Sequence, residues 1–234
     1  MRTGDRERAR ALFDAHPLDG AEAALLHGLL LHLDGEIEAA AASLDKGLAA
    51  EPATDAWASD YALAAAFRGQ LDVAVDCLEA LAERGAADAV AFGRLGGIRM
   101  MRGELDAAET AFQEALYREP GRPEWHNNIA GIRARQERYD EARTAYDHAL
   151  YLKGEDAAMR GRRDRMLIAL EQHEALLAER EAEVQAKPTE ADPRVRLARA
   201  FDMAERPEEM VATFYQAVAL LDQANATDAA DWDA

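Results

Sequence analysis

PEWHNNIAGIRARQERYDEARTAYDHALYLKGED, from Pro123 to Asp156, decides how the rest of the chain is read. Two helical patterns flank a short break at Glu137–Arg138, and Tyr139-Asp140-Glu141-Ala142 restarts the second. Small residues fall where two helices must touch closely: Ala130 in the first, Ala142 and Ala149 in the second. Ile129, Ile132, Tyr139, Tyr146 and Leu150 follow helical spacing and fill the seam between them. A lone pair of this kind leaves its outer faces unburied, so it needs neighbours of the same build.

The chain supplies them. Steps of 34 residues lead back from Ala142 to Ala108, Ala74 and Ala40, and from Ala130 to Gly96, Ala62 and Gly28. Tyr146 leads to Phe112, Leu78 and Leu44, and Tyr139 to Leu105, Leu71 and Ile37. The break at Glu137 corresponds to Gly103, Gly69 and Gly35, and Pro52 and Pro120 mark repeat ends. Going forward, Pro188 arrives in phase, and Leu197-Ala198, Phe214, Ala217 and Val218 restore the pattern after a blurred copy. This period and its small/large alternation resemble the tetratricopeptide repeat over roughly residues 21–222. The resemblance implies an all-α fold, a right-handed α-solenoid of tandem antiparallel helix pairs.

The expected organisation follows from the phase. Residues 1–20 hold a short amphipathic capping helix, DRERARALFDA, with Leu12 and Phe13 apolar, to cover the first repeat. Four in-register repeats occupy 21–54, 55–88, 89–122 and 123–156. Residues 157–190 depart from the pattern: Glu171-Gln172-His173-Glu174 contains no breaker, and Asp164, Leu176 and Glu183 stand where small residues belong. This segment reads as one long helix, the better fit to the missing breaker, or as a degenerate helix pair. A final pair spans 191–222, with Pro207 opening its second helix. The acidic tail 223–234 is expected to be disordered.

Composition narrows the function classes. A net charge of −18 argues against a nucleic-acid partner, because phosphates require a basic face. No apolar run is long enough to span a membrane. The N-terminus lacks the apolar stretch of a secretory signal, so a cytoplasmic setting is expected, or a periplasmic one had a signal been removed. Cys77 is the single cysteine and reads as a buried, inert thiol. The six histidines form no paired metal spacing, no glycine-rich phosphate loop precedes a Lys-Ser/Thr, and no serine has a nucleophile context. No enzyme, cofactor or metal is expected.

The resemblance places the first helices of successive repeats on the concave side. There it sets the apolar Leu29, Leu33, Leu63 and Phe67, then Arg94, Met100 and Met101, Asn127 and Asn128, and Arg135, Arg162, Arg165 and Arg199. Methionine-rich apolar surface accepts partner side chains. Gly93, Gly97 and Gly131 either pack on a neighbouring helix or leave the floor open. Some members of the family grip a peptide's terminal carboxylate. Asn128 and Arg162 fall at two matching places, while Gly93, Gly97 and Ala158 occupy the others, so that full clamp is not expected. Screening beyond about 8 Å lets a local basic strip hold an acidic segment on an acidic molecule.

The expectation is therefore a non-catalytic adaptor or scaffold that binds an apolar and acidic peptide or helix of another protein. Two alternatives remain. Bacterial arrays that resemble this one precede transferase domains, which would make the chain a regulatory or targeting arm. A self-associating scaffold, such as a homodimer, would instead use the apolar first repeat or a long helix at 158–186.

Overall fold

The computed structural model describes residues 20–232 apart from 51, 53 and 155, so the expected capping helix lies outside the described residues. All elements among them are helices. Six first helices, each 13 residues long, are α1 (Ala21–Leu33), α3 (Asp55–Phe67), α5 (Ala89–Met101), α7 (Pro123–Arg135), α9 (Ala157–Ala169) and α11 (Ala191–Met203). They alternate with α2 (Ile37–Leu48), α4 (Leu71–Glu83), α6 (Leu105–Arg118), α8 (Tyr139–Lys153), α10 (His173–Ala186) and α12 (Pro207–Trp232). The architecture is an all-α array of tandem helix pairs, a solenoid fold, and its starts repeat every 34 residues to the end of the chain.

One backbone device sets that phase. Gly35, Gly69, Gly103, Glu137, Glu171 and Glu205 all take positive φ, from 58° to 82°. At each, the next residue donates its N–H to a carbonyl five residues back: Glu36 to Leu31, Gln70 to Ala65, Glu104 to Arg99, Arg138 to Arg133, Gln172 to Leu167 and Arg206 to Phe201, at 2.8–3.0 Å. This Schellman closure satisfies the last carbonyls of each first helix and turns the chain into the second. Starts are capped in the same phase. Thr54, Asp88 and Asp156 accept from the N–H groups of Trp57, Ala91 and Met159.

The continuous-helix reading of 157–190 is therefore corrected. Glu171 adopts the left-handed conformation at φ 58°, and α9 and α10 form a pair like the others. A dimer face built on a single helix over 158–186 goes with it. The tail is corrected too, since α12 continues through Trp232. Ala224, Ala226, Ala229 and Ala230 are strong helix formers and extend it.

The helices divide into two compact units, residues 1–128 and 129–234, and α7 carries the chain from one to the other. In the first unit, Leu25, Leu29, Leu44, Trp57 and Ala64 form one core cluster. Close approach there depends on missing side chains: a β-carbon on Gly47 would lie 2.6 Å from Leu25 Cβ, and one on Gly28 would lie 2.8 Å from the Leu44 backbone nitrogen. A second cluster joins Val75, Leu78 and Leu81 of α4 to Ala91, Leu95 and Ile98 of α5.

In the second unit, Ala130, Ala142, Ala145, Tyr146 and Ala149 pack with Met159 and Met166. Leu167, Leu176, Leu177, Leu197, Ala200 and Phe201 form the following cluster. The seam between α9 and α10 is different in kind. Asp164, Arg180 and Glu183 occupy the places of Ala130, Tyr146 and Ala149 one repeat earlier. Arg180 is buried and donates to Asp164 at 2.7 Å and to Glu183. Arg196 pairs with Glu183 at 2.9 Å, and Arg163 with Asp147 at 2.8 Å and with Glu179. The blurred repeat is thus a regular helix pair in which an ionic seam replaces a small/large apolar one.

Candidate interaction surfaces

Each unit presents a separate surface. In the first, Leu29 is buried in the core beside Leu25 and Trp57 and offers nothing to a partner, which corrects its placement. Leu63 is half-buried against the same cluster. Leu33 and Phe67, at the ends of α1 and α3, are exposed, and Phe67 stacks on the His32 ring with centroids 4.0 Å apart. Met101, one repeat on from Phe67, is 65% exposed, and Met100 is half-buried.

Arg94 is held down. It donates to Ser59 Oγ at 2.6 Å and pairs with Asp60 at 2.8 Å, so it belongs to the scaffold more than to a free basic strip. Of the three glycines, Gly93 packs, because its β-carbon would meet Trp125 Nε1 at 2.6 Å. A β-carbon on Gly97 would meet nothing within 4 Å, so the floor is open there. Asn127 and Asn128 are half-buried on α7. Cys77 donates its thiol to the Ala58 carbonyl at 3.3 Å, and burial pushes its pKa up against the opposing influence of Arg84. At neutral pH it is a thiol, and a poor nucleophile.

The second unit gathers charge. Tyr146, on α8, is buried, and its hydroxyl oxygen lies 3.8 Å from where a Gly131 β-carbon would sit. Burial raises its phenol pKa, and the guanidinium groups of Arg162, Arg165 and Arg135 oppose that rise. Arg135 on α7 and Arg162 and Arg165 on α9 thus all act on one phenol, and all three are exposed. The phenol keeps its proton at neutral pH.

Arg135 and Arg165 have no carboxylate partner among the described residues. Arg163, Arg180, Arg196 and Arg206 are all paired. Arg199 on α11 is exposed and is not among the charges acting on Tyr146. The sequence pattern did not single out Tyr146 as part of this surface, because its step to Phe112 and Leu78 marks it as core. Among the described residues no group of three His, Cys, Asp or Glu side chains is placed to hold a metal. No helix among them is long and apolar enough to cross a membrane.

The sequence profile described as "Tetratricopeptide repeat" matches residues 60–123 and 99–159, the same stretch in which the 34-residue step is clearest. Residues 60–159 of the chain are thus tetratricopeptide repeats. Solved structures share the fold. The C-terminal part of a tetratricopeptide-repeat-containing protein from Cytophaga hutchinsonii superposes with a TM-score of 0.63 at 13% identity, covering 87% of this chain and 81% of that one. A tetratricopeptide-repeat protein from Parabacteroides merdae gives 0.58 at 13% identity, covering 85% and 79%.

A chain of the APC/C hetero-tetramer Cut9–Hcn1 gives 0.60 at 16% identity, covering 91% of this chain but only 42% of that one. These identities establish shared tetratricopeptide architecture and nothing finer. No curated protein matches the sequence. Tetratricopeptide arrays are typically non-catalytic and serve in general as protein-interaction scaffolds.

Proposed function

We propose that this protein is an interaction adaptor whose second unit binds an acidic, partly apolar segment of another protein at the Tyr146 surface. The observation that carries this reading is that three exposed arginines, Arg135, Arg162 and Arg165, act electrostatically on the Tyr146 phenol beside Gly131. Most other arginines of that unit are consumed in ion pairs, so leaving Arg135 and Arg165 outside them on a chain of net charge −18 needs a compensating role. A carboxylate on the partner supplies it. Each guanidinium–carboxylate bond contributes about 1.5–3 kcal/mol. The absent β-carbon at Gly131 lets the partner's backbone come close.

Peptide display on the immobilised wild-type protein tests the reading. Enriched sequences should combine Asp or Glu with apolar residues, and Arg135→Glu with Arg165→Glu should weaken them at least about tenfold while helical content is unchanged. Selected peptides that bind the double variant as tightly as wild type would remove the basic surface from the account.

A further inference from the structure

The 34-residue step makes the chain its own control for what a second helix needs on its outer face. Leu44, Leu78, Phe112, Tyr146 and Arg180 are equivalent positions on α2, α4, α6, α8 and α10, and they are 1%, 1%, 1%, 3% and 3% exposed. The sixth equivalent, Phe214 on α12, is 50% exposed. At the position three residues earlier, Val75, Glu109 and Leu177 are buried, Ala41 and Arg143 are half-buried, and Val211 is 46% exposed. In the inner repeats the cover comes from the next first helix. Ala91, Leu95 and Ile98 of α5 pack with Leu78, and Leu197, Ala200 and Phe201 of α11 pack with Leu177. No described helix plays that part for α12.

We infer that α12 is the face through which two copies of this chain associate, α12 of one lying antiparallel on α12 of the other across a two-fold axis near Phe214. Three features select a second copy as the occupant. First, the inner repeats cover this face with a helix that runs back along it after a short turn, and an antiparallel α12 reproduces that direction. Second, Val211 to Leu221 reads VATFYQAVALL, eleven residues without a charge in a chain that is 31% charged, so two copies meet there without repulsion despite −18 each. Third, the ends are complementary. An antiparallel pair centred on Phe214 sets Arg206 of each copy, which also pairs with Glu209 of its own chain, against Asp222 of the other, and Asp222 has no cationic partner among the described residues. Tyr215 and Leu221, 70% and 50% exposed, widen the apolar strip. A self-complementary patch of this kind gives a closed dimer.

Light scattering on the full chain over a range of concentrations tests the inference, with Phe214→Glu and Val211→Glu as variants. Both side chains are solvent-exposed, so circular dichroism should show unchanged helical content. Wild type is expected to reach twice the chain mass at tens of micromolar, with each variant raising the dimer dissociation constant at least tenfold. Arg135→Glu with Arg165→Glu should leave the dimer intact, which separates this surface from the Tyr146 surface. Wild type that stays monomeric throughout overturns the proposal and leaves the face to a helix of another protein. A dimer that survives Phe214→Glu overturns it as well, by placing the contact elsewhere.

Discussion

Replacing Glu137, Glu171 and Glu205 by glycine should stabilise this protein although it removes three side chains. Each of these glutamates holds a left-handed backbone, at φ 61°, 58° and 58°, where the first three repeats have Gly35, Gly69 and Gly103. An L-residue pays about 1–2 kcal/mol there because its β-carbon crowds the following carbonyl oxygen. Glycine avoids that cost and gives back about 0.4–1 kcal/mol through the freer unfolded chain. The net is a gain of roughly 0.5–1 kcal/mol per site. The three breaks are 34 residues apart and share no partners, so the gains should add to about 1.5–3 kcal/mol. For a chain of this size that raises the midpoint by about 3–12 °C. The assay is thermal unfolding followed by circular dichroism. Alanine at the same three sites is the control, since it removes the charge and keeps the β-carbon, and it should not reproduce the gain. A triple-glycine protein that melts at or below wild type would refute the reasoning, because the left-handed break would then not be a site of strain.

Other outcomes follow from the ionic seam and the titrating groups. Asp164→Ala leaves the buried Arg180 guanidinium short of a counter-charge and should cost about 3–5 kcal/mol in chemical denaturation. Replacing the whole set, Asp164→Ala with Arg180→Tyr and Glu183→Ala, recreates the seam of the preceding repeat and should recover most of that loss. Acid should weaken the second unit. Asp156 is held below the usual carboxylate range by its bond from Lys153 and the Met159 N–H, and Glu183 by Arg196 and Arg180 against an opposing burial effect. A depressed pKa contributes stability present above the unfolded value, so denaturant midpoints should be flat above about pH 5 and fall below about pH 4.

The repeat phase was legible in the sequence because the seam is made of size, and size recurs in register: Ala130, Ala142 and Tyr146 have counterparts of like size at every earlier step. The break at Glu171 was harder. Left-handed backbone is usually marked by glycine, and its absence suggested a continuous helix, although Glu137 stands at the same step one repeat earlier. The Asp164–Arg180–Glu183 seam was hidden because it replaces apolar contacts by charge pairing, which hydrophobic periodicity does not register. Stepping from all three positions together would have shown a carboxylate, a cation and a carboxylate exchanged as a set.

On the surface, the arginines divided in ways that helical position alone does not fix. Asp60 lies one repeat behind Arg94 and takes it, and this pair could have been read from the step. The joint action of Arg135, Arg162 and Arg165 on Tyr146 depends on the spacing of α7, α8 and α9, which a linear pattern does not contain. Leu29 was misplaced for a related reason: Trp57 of the next repeat covers it, where the smaller Ala91 follows Trp57 at the next step.

The most direct test of the adaptor reading is a double-mutant cycle by calorimetric titration. It pairs Arg165→Ala with neutralisation, Glu to Gln or Asp to Asn, of each acidic residue in a peptide selected on the wild-type protein. A guanidinium that meets a partner carboxylate predicts a coupling of about 1 kcal/mol or more at one peptide position, shrinking as salt is raised. Coupling indistinguishable from zero at every acidic position would contradict the claim that the Tyr146 surface recognises an acidic segment.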